Sequence, residues 1–189
     1  MLKLVAGLIL FFAAHVPAVA RELRDRLRAS WGTMGYRGVV SLLALAGLVL
    51  IVWGFHDYRQ AGYIQLWHPP VWTRHLAFLI NLPVFILLIA GFLPGYIKAR
   101  LGHPILAAIK FWALAHLLAN GDLGGVLLFG SFLVWAVLAR IAAKRHGERA
   151  VVANPSWVAD AVAVVGGVAL WALMLTRLHA LLIGVPLLS

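Results

Sequence analysis

The chain has 189 residues, of which 63% are hydrophobic and 12% charged, with 16 Lys and Arg against 6 Asp and Glu for a net charge of +10. Soluble domains run nearer about 45–50% apolar and about 25% charged, so the balance excludes disorder and argues strongly against a soluble globular enzyme. The absence of cysteine excludes disulfides, Cys-ligated zinc, iron–sulfur clusters and thiolate nucleophiles, and in so apolar a chain the basic excess points to membrane-flanking segments rather than to nucleic acid.

Six apolar runs follow in order: residues 4–20, 38–55, 75–93, 104–119, 123–139 and 158–181. Most approach the roughly 20 residues that about 30 Å of hydrocarbon requires. They lack period-2 alternation, and lipid admits only helices or closed barrels, so helices are expected. The fourth run is shortest and contains Lys110, so it is expected inside the bundle. Pro69 and Pro70 precede the third run, Pro94 and Gly95 end it, and Pro104 opens the fourth. Asn120-Gly121-Asp122 predicts a tight turn, and Asn154-Pro155-Ser156 predicts the cap of the sixth helix. Glycines within or beside the runs, among them Gly47, Gly124, Gly125, Gly166 and Gly167, let helices approach closely. The predicted fold is an all-α polytopic membrane bundle of about six transmembrane helices, a single domain over residues 1–189. No internal repeat is evident, which disfavours a repeat-built transporter.

Cations set the expected orientation. Arg21, Arg24, Arg26, Arg28 and Arg37 follow the first run, Lys98 and Arg100 the third, and Arg140, Lys144, Arg145 and Arg149 the fifth. By the positive-inside rule these connections are cytoplasmic and both termini periplasmic, in a bacterial inner membrane. The segment 56–74 then falls outside, with Tyr58, Tyr63, Trp67 and Trp72 as an interfacial aromatic belt. Residues 1–20, ending Ala18-Val19-Ala20, resemble a signal peptide, but five arginines within the next 17 residues oppose translocation and favour a retained first helix.

Eight histidines are present, and His15 and His116 fall inside apolar runs. Ionisable residues at such depth are uncommon and tend to face the bundle. His15 has Phe11, Phe12 and Ala18 at helical spacings, and His116 has Trp112, Ala113 and Asn120. Each face of aromatic and small residues suits a flat apolar ligand, and a hydrogen bond to a helix carbonyl is the alternative structural role. Two histidines from separate helices can ligate haem b, and without Cys-x-x-Cys-His any haem is non-covalent. Lys110, Arg74 and Arg21 are candidates to pair with propionates, though Lys110 could equally snorkel. His15 lies about 9 Å from the cytoplasmic interface and His116 about 6 Å from the outer end of its span at 1.5 Å per residue. His103 is therefore an alternative partner for His15, while His56 and His75 lie nearer the outer end. Asp57, beside His56 and Arg59, is expected in a solvated loop. Gly121-Asp122-Leu123-Gly124-Gly125 is expected to be a turn and close packing rather than a nucleotide site.

These residues resemble the NnrU family. The resemblance is carried by Leu10-Phe11-Phe12-Ala13-Ala14-His15, Tyr36-Arg37-Gly38, Trp53-Gly54-Phe55, and the run Leu66-Trp67-His68-Pro69-Pro70-Val71-Trp72-Thr73-Arg74-His75. It continues in His103-Pro104-Ile105-Leu106 and in Lys110-Phe111-Trp112-Ala113-Leu114-Ala115-His116-Leu117-Leu118-Ala119-Asn120-Gly121-Asp122-Leu123, covering most of residues 8–140. It implies an inner-membrane protein linked to denitrification and nitric oxide metabolism. The same superfamily includes plant 15-cis-zeta-carotene isomerases, whose two haem-ligating histidines fall on His15 and His116. The resemblance thus implies non-covalent haem b on these two residues and either a redox role or a haem-dependent isomerisation of a lipophilic substrate. An assembly factor for respiratory membrane oxidoreductases is the alternative. The isomerases carry a cysteine three residues before the second ligand where this chain has Ala113, so their thiolate switch is not expected here.

Overall fold

The computed structural model describes residues 1–148 and 151–188; the expected cytoplasmic cation Arg149 lies outside them. The helices are α1 (Leu2–Val19), α2 (Arg21–Gln60), α3 (Val71–Phe92), α4 (Tyr96–Leu101), α5 (Pro104–Ala119), α6 (Leu123–Arg145), α7 (Trp157–Leu173) and α8 (His179–Ile183), the last two joined by a π-helical turn, Met174–Leu178. Five helical stretches are long and apolar enough to cross a membrane, and α5, at 16 residues, is a shorter apolar helix. The chain is a multi-pass α-helical membrane protein. It divides into two compact units, Met1–His68 with Asn120–His146, and Pro69–Ala119 with Gly147–Ser189.

The first unit packs α1, α2 and α6. Glycine decides how closely α1 and α2 approach, because a Cβ on Gly47 would lie 2.7 Å from the Phe11 nitrogen and one on Gly7 2.6 Å from that of Ile51. A Cβ on Gly54 would collide with the backbone of Leu4. These contacts pair Leu4 with Gly54 and Phe11 with Gly47, so α1 and α2 are antiparallel. Leu4, Leu8 and Ile51 are buried along the seam. Lipid gives no hydrophobic drive between helices, so the close backbone packing itself supplies the attraction. Helix α6 crosses both partners: Phe129 meets Phe55, Phe132 meets Phe11 and Phe12, and Trp135 meets Phe12 and His15.

The arginine-rich segment after α1 is not a loop. Helix α2 starts directly after Ala20 and is two helices joined at Gly32, whose φ of 69° is non-helical. Its first ten residues are helical, with Arg21 and Asp25, and Glu22 and Arg26, one turn apart at 4.0 Å, where each exposed pair adds about 0.2–0.5 kcal/mol of support. The segment 56–74, expected to be an interfacial aromatic belt, is likewise more ordered than that. Tyr63, Trp67 and Trp72 are exposed, but Tyr58 is buried. Its hydroxyl accepts from the Ile64 N–H at 2.9 Å, which folds the chain back after α2. The carbonyl of Gly121 accepts from Leu66 and Trp67 at 2.7 and 3.0 Å. Asp122 caps α6 by accepting from Gly125 at 2.8 Å, and Gly124 abuts the Tyr58 ring, so the glycine-rich stretch is a turn and a packing site. Asp57 is not in a loop but in the last turn of α2, paired with Lys3 at 2.8 Å.

The second unit packs α5 and α7 on α3. Val84, Leu87 and Ala108 form its buried centre, with Leu88, Ile97 and Trp112 against them. Gly167 of α7 faces Ile86, Gly91 of α3 faces Ile105, and the Trp171 indole donates to the Phe78 carbonyl at 3.1 Å. Asp160, 7% exposed, accepts from the Tyr96 and Ile97 N–H groups at 2.9 and 3.1 Å, which caps α4. Ser156 donates its N–H to the Pro94 carbonyl at 2.9 Å and caps α7 through its hydroxyl. The start of α7 is thereby pinned to the α3–α4 corner.

Candidate functional site

Each unit carries a partly buried histidine that sits within an apolar helix beside aromatic side chains. In the first unit His15 sits on α1 and its Nδ1 lies 2.7 Å from the Phe11 carbonyl, one turn back. A carbonyl only accepts, so the ring donates from Nδ1 and the lone pair of the neutral imidazole rests on Nε2. The ring stacks on Phe11 at 4.3 Å and meets Trp135 edge-on at 5.4 Å. Phe11 and Phe12 pack on Phe132 at 5.2 and 5.1 Å. The result is a histidine of fixed tautomer in an apolar, aromatic wall. The Trp135 Nε1 is buried there and has no hydrogen-bond partner among the described residues.

The second unit repeats the local arrangement on α5. The His116 Nδ1 lies 2.7 Å from the Trp112 carbonyl, again four residues back, and the two rings are 5.2 Å apart. Ala113 and Ala115 beside it are fully buried. A histidine whose Nδ1–H is held by a backbone carbonyl is the usual form of a metal-ligating imidazole, since that bond fixes the ring and makes Nε2 the more basic nitrogen. The donor sets at His15 and His116 therefore fit an axial iron ligand as well as a carbonyl-satisfied structural role. Among the described residues no group of three or more His, Asp or Glu could hold a metal ion.

The other sequence candidates are placed differently. His103 precedes α5, and its Nε2 lies 2.7 Å from the Glu148 carbonyl, so it fastens the segment after α6 to the start of α5. It is thirteen residues from His116, about 20 Å along one helix at 1.5 Å per residue, so these two cannot ligate one iron. His56 is exposed near the end of α2. The antiparallel seam sets Gly54 against Leu4, which places His56 near the start of α1, also about 20 Å along the axis from His15. Lys110 is half-buried on α5, six residues before His116. That spacing turns it about 120° around the helix, away from the histidine face. Arg74 and His75 are exposed in the first turns of α3, and Arg21 is exposed at the start of α2. His179 bonds the Val185 carbonyl at 2.7 Å, which closes the turn after α8. Sequence reasoning missed Trp135; its spacing on α6 shows an aromatic helix face, but only packing places its ring on His15.

At the α1–α2 end, Lys3 donates to Asp57 and holds its carboxyl below the ordinary carboxylate value, while the same ammonium lies 3.9 Å above the Trp53 ring.

No curated protein and no solved structure matches the chain. A family model described as NnrU protein matches residues 3–187, which extends the likeness well past residue 140 and through α7. With that match running through both units, from α1 to the segment after α8, the chain belongs to the NnrU family.

Proposed function

We propose that this protein binds haem b non-covalently through His15 and His116 and serves one-electron redox metabolism in the bacterial inner membrane, linked to nitric oxide and denitrification. The observation that carries the reading is the shared local arrangement of the two histidines. Each ring has its Nδ1 held by the carbonyl of an aromatic residue one turn back, within an apolar helix. Haem b supplies reversible one-electron chemistry, whose potential depends on axial ligand and burial. The chain's own residues supply orientation and dryness. Phe11 and Trp112 fix the imidazole tautomer through their carbonyls, and Phe12, Phe132 and Trp135 exclude water around His15. Arg21, at the start of α2 and 4.0 Å from Asp25, and Arg140, in the last two turns of α6, are the cations nearest in sequence to His15 and Trp135. A lipophilic substrate and isomerase chemistry are the weaker version, because Ala113 stands where a switching cysteine would be needed.

The test is spectroscopic. The purified protein, in detergent, is expected to show a Soret band at about one haem per chain and sharp bands on dithionite reduction, characteristic of two imidazole ligands. His15→Ala and His116→Ala should each abolish the six-coordinate spectrum. A folded protein that stays colourless when haem is offered would instead leave an assembly factor for respiratory membrane enzymes as the reading. Loss of haem only on His103→Ala or His56→Ala would reassign the ligands. Reporter fusions at each connection test the orientation, with periplasmic termini and cytoplasmic basic segments expected.

A further inference from the structure

We propose that Trp135 is a second recognition residue of the His15 site, and that its indole N–H donates to a propionate carboxylate of the bound porphyrin. This rests on the haem reading above and adds a contact that reading does not require. The Trp135 Nε1 is buried without a hydrogen-bond partner among the described residues. A buried tryptophan normally finds a partner for this group, and an unmet donor costs about 1–3 kcal/mol. In the same unit Tyr58 pairs with Ile64, Asp122 with Gly125 and Ser131 with Leu127, while Arg28 Nε is a second buried N–H without a hydrogen-bond partner among the described residues. The unmet indole donor sits where a ligand is expected, because the Trp135 ring stands edge-on to His15 at 5.4 Å and 82°.

The chemistry of the acceptor follows from the donor. Indole only donates, so its partner must accept. Phe12, Phe132 and Phe11 around His15 offer no side-chain acceptor. A porphyrin's strong acceptors are its two propionates. Depth agrees: His15 lies six residues before Arg21 and Trp135 five before Arg140. Both are within about 9 Å of the basic helix ends at 1.5 Å per residue, where a carboxylate can reach cationic surroundings.

The experiment uses the full chain loaded with haem b, and with haem esterified at both propionates. Haem release to a scavenging apoprotein is timed for the native protein and Trp135→Phe, and the propionate bending band is read by resonance Raman in H₂O and D₂O. Trp135→Phe is expected to speed release of haem b about tenfold, as loss of a hydrogen bond to a charged group should. It should barely change release of the ester, and it should remove the D₂O shift of the propionate band. Equal release of haem b from both proteins, or equal acceleration with both haems, overturns the proposal, the second outcome because it reports packing alone. If Trp135→Phe does not fold, the native D₂O shift decides by itself: its presence supports the contact and its absence overturns it. A native chain that takes up no haem sinks the haem reading and this inference together, whereas haem bound with indifferent release sinks this inference alone.

Discussion

Replacing Gly47 by alanine puts the glycine seam to a quantitative test. The new methyl would stand 2.7 Å from the Phe11 nitrogen and 2.8 Å from its Cα. Carbon contacts become comfortable only near 3.5 Å, so α1 must retreat by about 0.7 Å or α2 must bend. The opposing atoms are backbone, which no rotamer change can move aside. Overpacking of this kind costs about 1–3 kcal/mol. Alanine would otherwise gain about 1 kcal/mol in a helix interior. Gly130→Ala provides the control, since it lies in α6 of the same unit with no atom within 4 Å of its new methyl. It keeps the propensity gain without the clash. Thermal unfolding in one detergent should therefore place Gly47→Ala several degrees below the native protein and Gly130→Ala at or above it. Because Phe11 also carries the stack on His15, Gly47→Ala should release haem faster. Identical melting temperatures for the two variants would refute the close-packed seam.

Asp160→Ala should destabilise the second unit by about 1–3 kcal/mol, because two part-buried N–H groups of α4 lose their side-chain acceptor; amide exchange at Tyr96 and Ile97 should rise together. Asp160→Asn keeps one acceptor oxygen and should cost less. Tyr58→Phe should loosen the segment after α2 by about 0.5–1.5 kcal/mol, since the part-buried Ile64 N–H exchanges its partner for water, and proteolysis near Ile64 should quicken. The Lys3–Asp57 pair should matter only slightly, being exposed. Its Asp57 carboxyl is held below the ordinary carboxylate value, so the contribution is present above about pH 4 and fades as pH falls through the lowered value. Lys3→Gln should erase that acid dependence in a pH series of melting curves.

Apolar run length and turn chemistry carried most of the fold into view. Residues 4–20, 104–119 and 158–181 correspond to α1, α5 and the α7–α8 stretch, and Asp122 and Ser156 cap the helices their neighbours announce. Dense arginine hid the helix between Ala20 and Gly32, because charge dominates composition there while pairs one turn apart support the helix. The roles of Asp160 and Tyr58 were not legible, since each depends on a backbone group that only tertiary packing brings near. At the site, His15 and His116 stood out by depth alone. Their tautomers came from i−4 carbonyls, and Trp135 came from the crossing of α6 over α1.

The central claim is haem ligation by His15 and His116, and the reduced-minus-oxidised spectrum of the purified chain tests it most directly. The account predicts one low-spin haem b per chain, with the six-coordinate signature lost in both His15→Ala and His116→Ala while His103→Ala keeps it. A folded native protein that binds no haem, or one whose spectrum survives both substitutions, would contradict it.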